Sequence, residues 1–191
     1  MVEVHLGPFM GIEIERRFIL AEPPSFLIRL DSLEIEQWYP PNLAGLVPPK
    51  EALEVVSEGV RIRCIDNSWI ATIKGPWVGS ARVEFEWDIS PMRCPVEWPK
   101  ISKTRYLWPS PDGFVWEIDV FKEELEGLVI AEVELTNEED EIEIPSWALG
   151  ELPGLDDWSN AALAHSSWAE VSQCLMNARQ FLISEKGMDG N

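Results

Sequence analysis

Histidine and cysteine are scarce in this 191-residue chain, two of the first and three of the second. His5 and His165 have no nucleophile or ligand pattern around them, and no His/Cys zinc spacing exists. Cys64, Cys94 and Cys174 are widely spaced and odd in number, which argues against a disulfide framework and for reduced thiols in the cytoplasm. Basic residues are also few: 15 Lys and Arg stand against 34 Asp and Glu, a formal charge of -19. A chain so acidic repels polyanions at long range, so no nucleic-acid partner is expected. No apolar run reaches the roughly 18 residues of a membrane helix. The first ten residues lack the basic and apolar regions of a signal peptide, so neither membrane nor secretion is expected. Internal repeats and low-complexity segments are absent as well.

What remains is 46% hydrophobic and long enough to bury one sizeable core. Alternating residues bounded by Pro, Gly, Asn and Asp predict strands near 9–20, 33–39, 59–66, 68–75, 80–89, 101–108, 113–121 and 128–136. Breaks fall at Pro23-Pro24, Asp66-Asn67, Gly75-Pro76, Ser90-Pro91, Pro109 to Gly113 and Glu126-Gly127. Pro40 to Pro49 reads as a loop over a cavity mouth, and Thr136 to Glu143 as a short solvated helix or loop. From Ser159 the period changes. Ala164, Trp168, Val171, Leu175, Ala178 and Leu182 form one apolar stripe, the mark of an amphipathic helix. Eight strands joined by short turns can close on themselves. The expected fold is α+β: an eight-stranded antiparallel closed β-barrel with flanking helices over 1–158. A C-terminal helix over 159–185 is expected to pack on it within the same domain.

Glu13-Ile14-Glu15-Arg16-Arg17-Phe18 sets a pattern that the other strands repeat. Alternate side chains of a strand share a face, so Glu13, Glu15 and Arg17 lie opposite Ile14 and Phe18. Arg61 and Arg63 follow in the third strand, Thr72 and Lys74 in the fourth, and Arg82, Glu84 and Glu86 in the fifth. The sixth carries Lys103 and Arg105, the seventh Glu117 and Asp119, the eighth Glu132 and Glu134. A solvated face over an oily core would alternate in the same way. Two features favour a charged lumen instead. A barrel of eight strands is too narrow to enclose Phe85, Trp87, Trp116 and their apolar neighbours, so those faces turn outward. The charges are also sorted by strand, acidic on the first, seventh and eighth and basic on the third, fourth and sixth. Arginine and lysine hold phosphate oxygens, and clustered carboxylates suit Mg2+ or Mn2+. The two walls together fit a metal–polyphosphate complex. Trp69, Trp87 and Trp116 read as packing, with an apolar face for a homodimer as the lesser alternative. Tyr39, two residues after Gln37, either closes a tunnel end or packs in a turn.

The stretch 13–18 resembles the ExExK signature of the CYTH superfamily, the triphosphate tunnel metalloenzymes. The likeness continues through Arg61-Ile62-Arg63, Thr72-Ile73-Lys74-Gly75, Arg82-Val83-Glu84-Phe85-Glu86, Lys103-Thr104-Arg105-Tyr106, Trp116-Glu117-Ile118-Asp119-Val120-Phe121 and Ala131-Glu132-Val133-Glu134. Ser159-Asn160-Ala161-Ala162-Leu163-Ala164 resembles the family's closing segment. The resemblance spans about residues 10–165 and is nearest to the short bacterial members that act on inorganic tripolyphosphate. It implies metal-dependent hydrolysis of a small-molecule triphosphate. By that likeness Glu13, Glu15, Glu117, Asp119, Glu132 and Glu134 hold metal, and Arg17, Arg61, Arg63, Lys74, Arg82, Lys103 and Arg105 hold phosphate. Glu15, Arg17 and Lys74 take the catalytic positions, and Glu84 and Glu86 complete the lining. Thiamine triphosphate hydrolysis and class IV-type adenylate cyclisation share the fold. A non-catalytic polyphosphate- or nucleotide-binding module is the alternative from another class, and acidic sets on three strands weigh against it. The signature's last Lys is Arg17 here. Arginine keeps the charge but cannot lose a proton, so any role that needs a neutral amine is excluded.

Overall fold

The computed structural model describes residues 9–43, 45–55, 57–78, 81–137, 139–152, 158–167, 169–173 and 176, with the backbone alone at 9–11, 13, 77 and 81. Nine strands form: β1 (Phe9–Ile19), β2 (Ser32–Trp38), β3 (Gly59–Ile65), β4 (Ser68–Val78), β5 (Ala81–Asp88), β6 (Lys100–Pro109), β7 (Val115–Phe121), β8 (Val129–Glu134) and β9 (Gly150–Glu151). Turn chemistry sets the hairpins. Asp66 and Asn67, between β3 and β4, have φ of 47° and 79°, the two left-handed positions that a tight hairpin needs and that Asp and Asn tolerate. β4 runs through Gly75-Pro76, where the sequence predicts its end. The register shifts there, between Lys74 and Trp77, and such an irregularity accommodates a prolyl nitrogen that cannot donate to the ladder.

The strands pair antiparallel in the order β5-β4-β3-β2-β6-β7-β8-β1-β9. The expected closed barrel of eight strands is not what forms. One nine-stranded sheet curls around a channel without closing along its length, and β1 is where it parts. Residues 9–14 pair with β5 and residues 15–19 with β8; no residue of β1 has ladder partners on both. β9 takes the other edge of Phe18 and Ile19.

The core is turned outward. Phe18, Trp116, Ile118, Ala131 and Val133 pack outside the sheet with Leu20, Leu27 and Ala148, under Phe26, Trp108 and Trp147. Ala71, Ile73, Phe85 and Trp87 pack with Ala52, and Leu43, Leu46 and Val55 lie against them. The segment 40–49 therefore seats Leu43 and Leu46 on the outer wall, and none of its described residues lines the cavity. At one end of the sheet the inward positions turn apolar. Ile19, Ile101, Phe121 and Ile130 join Leu125, Leu128, Leu152, Leu163 and Val171 in one buried apolar cluster at that end.

Helix is sparse among the described residues. Three 3-10 turns lie at 25–29, 51–54 and 123–125, and α1 covers Asn160–His165. Ser159 caps α1 by accepting from the Ala162 N–H at 3.1 Å. The expected continuous helix over 159–185 is corrected. Ser166 is extended, with ψ 147°, and the chain is helical again over 169–173. A capping box explains the restart: Ser167 Oγ accepts from the Glu170 N–H at 3.3 Å, and Glu170 Oε2 accepts from the Ser167 N–H at 2.9 Å. Of the predicted stripe, Val171 is buried; Trp168, Leu175, Ala178 and Leu182 lie outside the described residues. No described helix is long and apolar enough to cross a membrane.

Candidate active site

Ionic side chains from seven strands meet in a cavity of about 290 Å³. β1 supplies Glu15 and Arg17, β3 Arg61 and Arg63, β4 Lys74, β5 Arg82, Glu84 and Glu86. Arg105 comes from β6, Glu117 from β7, and Glu132 and Glu134 from β8. Tyr39, just past β2, and residues 159–161 at the start of α1 complete the wall. The strand order places basic β4, β3 and β6 around β2 and acidic β7, β8 and β1 next to one another. Lys103 and Asp119 share the inward phase but lie deeper, at 0% and 1% exposure. Glu13 pairs with Arg82 in backbone register; its side chain lies outside the described part.

Two ion-pair networks fill this space. In the first, Arg105 meets Asp119 in a fork, Nε to Oδ1 and Nη2 to Oδ2, each 2.7 Å. The same Nη2 reaches Glu132 Oε2 at 3.0 Å, and Nη1 donates to Glu117. Arg17 Nε donates to Glu132 Oε1 at 2.8 Å and its Nη2 to Glu15. Lys103 Nζ contacts Asp119 Oδ2 at 2.5 Å and Asn160 Oδ1 at 3.2 Å, tying α1 to the wall. In the second, Arg61 Nη2 donates to Glu86 Oε1 at 2.7 Å and to Thr72 Oγ1 at 3.2 Å. Lys74 pairs with Glu84, as does Arg82 Nε at 3.1 Å. Forked, charge-assisted pairs of this kind are the strong ones.

The field inside is uneven. Burial pushes Lys103 down to about 8, with Arg105 and Arg63 adding to the shift and Asp119 opposing it. Burial would raise the Glu86 carboxyl, but Arg61 and Arg63 outweigh it and hold Glu86 below its ordinary value. Arg63 is lowered, first by burial and then by Arg61. It has no ion pair among the described residues, and its Nε is buried without a partner. Burial lifts the Tyr39 hydroxyl to about 12.

The structure thus gathers Glu15, Arg17, Arg61, Arg63, Lys74, Arg82, Glu84, Glu86, Arg105, Glu117, Glu132 and Glu134 around one space, with Lys103 and Asp119 behind them. Among the described residues no group of three or more His, Cys, Asp or Glu stands together as a ready metal-ligand set. The carboxylates face cations instead. Gln37, and Asn160 and Ile12 individually, were not singled out by the sequence as site residues. Gln37 and Tyr39 carry on the inward alternation of β2, which was the available signal; the contact of Asn160 with Lys103 joins positions 57 residues apart and had none.

No protein-family model matches the chain. An inorganic triphosphatase from Acetivibrio thermocellus is 34% identical over 122 residues, 61% of this chain and 78% of that protein. One from Nitrosomonas europaea is 30% identical over 161 residues, 81% of this chain and 97% of that protein. The crystal structure of the inorganic triphosphatase NE1496 superposes with a TM-score of 0.53 at 27% identity, over 81% of this chain and 95% of that one. With this coverage, and with the ordered charged strands meeting in one cavity, the chain belongs to the CYTH, or triphosphate tunnel, family and stands beside its inorganic triphosphatases.

Proposed function

We propose that the chain hydrolyses inorganic triphosphate in this cavity, with a divalent metal. The observation that carries the reading is the convergence of Arg17, Arg61, Arg63, Lys74, Arg82 and Arg105 on one space faced by carboxylates. A chain of phosphates needs cationic donors along its whole length, and their charge stabilises the phosphate that leaves. Arg63 is the donor with the least to give up, since no carboxylate holds it among the described residues. Arg61 and Arg105 bind phosphate by exchanging one oxyanion for another. Glu15, Arg17 and Lys74 line the same space and are the catalytic candidates. Tyr39 is the one aromatic side chain among the described lining residues, so little there could stack on a base or a thiazole. This favours an inorganic substrate over a nucleotide or thiamine triphosphate.

The acidic lining is all oxygen, with no His or Cys among the described lining residues, a donor chemistry that fits Mg2+ or Mn2+. Glu15, Glu117, Glu132 and Glu134, with Asp119 behind them and Glu13 on the adjoining stretch of β1, would hold it. Such an ion offsets phosphate charge and acidifies water. Cys64 and Cys94 are free thiols, in keeping with a cytoplasmic protein.

The test is phosphate release from tripolyphosphate, ATP and thiamine triphosphate with Mg2+, Mn2+ or EDTA. Turnover of tripolyphosphate with metal, and little of the other two, is expected. Tight binding without turnover under any metal would replace the enzyme by a binding module. Glu15→Gln is expected to abolish release while the thermal transition persists.

A further inference from the structure

We propose that Gln37 is a positioning residue, which fixes the Tyr39 hydroxyl so that its proton points into the cavity. The inference rests on the triphosphatase reading and adds a residue to it. Gln37 lies near the end of β2 in the inward phase, opposite Arg63 on one side and Ile101 on the other. It is completely buried. A buried amide needs partners at both ends, yet only one end has any. Nε2 donates to Tyr39 Oη at 2.8 Å, while Oε1 has no hydrogen-bond partner among the described residues. As a device for stability this is a poor choice, because an apolar side chain of the same size would leave no acceptor stranded.

As a device for orientation it makes sense. A phenol has one proton and lone pairs on the oxygen. An N–H arriving from Gln37 engages a lone pair and leaves the proton to point elsewhere. No described residue accepts it, and Tyr39 lines the cavity. With its ionisation lifted to about 12, the hydroxyl stays a donor at any working pH. A phosphate oxygen is the acceptor that the cavity offers it. Turned round, the Gln37 amide would present Oε1 to the hydroxyl and draw the proton away from the cavity, and Gln37→Glu enforces that state.

The experiment measures kcat and KM for tripolyphosphate in wild type, Gln37→Met, Gln37→Glu, Tyr39→Phe and the Gln37→Met/Tyr39→Phe double variant, each with its thermal transition. Gln37→Met is expected to lower kcat about tenfold, one neutral hydrogen bond's worth, with KM changed less than about twofold. Gln37→Glu is expected to match Tyr39→Phe, and the double variant to be no slower than Tyr39→Phe alone. Losses that multiply in the double variant, or wild-type kcat in Gln37→Glu, overturn the proposal. If Gln37→Met fails to fold, the comparison of Gln37→Glu with Tyr39→Phe decides, since Glu keeps the size and can pair with Arg63. A wild type that releases no phosphate refutes the triphosphatase reading itself, and this inference falls with it.

Discussion

Arg105 touches three carboxylates, Asp119, Glu117 and Glu132, and is itself almost fully buried. Two buried anions and the half-buried Glu117, held by one guanidinium, make it the residue whose loss strands the most charge, although Lys103 still meets Asp119 and Arg17 still meets Glu132. Arg105→Met is expected to destabilise the fold by about 3–5 kcal/mol, the range for breaking a buried pair, with Arg105→Lys losing less because the charge remains without the fork. Urea unfolding checks both. Lys103 gives a pH signature. Below about 8 it is protonated in the native and the unfolded chain alike, and stability does not change with pH on its account. Above that the native state has shed the proton, and the unfolded chain keeps it up to the ordinary 10.5. The unfolded state then binds more protons, so stability gains up to about 1.4 kcal/mol per pH unit from this group. Lys103→Met is expected to flatten that rise between pH 8 and 10 relative to wild type, read by denaturant unfolding across the range. At this scale the sequence told which face each charge occupies, because a strand alternates strictly. It could not tell which carboxylate meets which cation, since that depends on register between distant strands.

β1 carries the most consequence of any element. Its inward side gives Glu15 and Arg17, its outward side Phe18, and its edges pass from β5 to β8. Phe18 is fully buried with its ring 5.1 Å from that of Trp116. Phe18→Ala is expected to lower stability by about 3–5 kcal/mol, seen as a lower urea midpoint with an unchanged slope. The eight longer strands were legible because period-two alternation bounded by turn residues is a strong local signal. Three features were not. A change of partner along β1 has no local signature, so full closure was read where a parted sheet forms. β9 is two residues long and cannot show a period. Ser166-Ser167 interrupts the C-terminal helix without interrupting its apolar stripe, and the stripe was the louder of the two signals.

Across the whole molecule the formal charge is -19, yet the cavity does not share the imbalance. Its described lining sets Glu15, Glu84, Glu86, Glu117, Glu132 and Glu134 against Arg17, Arg61, Arg63, Lys74, Arg82 and Arg105. The acidic excess therefore lies elsewhere, where it repels an approaching polyanion, and that repulsion weakens with salt. Inside, the lining carboxylates compete with phosphate for the same donors. Glu86 is the competitor at Arg61, at 2.7 Å and with Thr72 supporting it. Removing that competitor should help an anion to bind even though it removes a residue from the site. Glu86→Gln is expected to bind tripolyphosphate more tightly than wild type in EDTA, by roughly tenfold or 1.4 kcal/mol, because Arg61 loses its nearer carboxylate and keeps only the longer contact to Glu84, at 3.6 Å, among the ion pairs described for it. Isothermal titration without metal measures it directly, with Ile28→Ala on the exposed surface as the silent control. Weaker binding by Glu86→Gln would mean that its carboxylate orients Arg61 toward phosphate instead of competing for it.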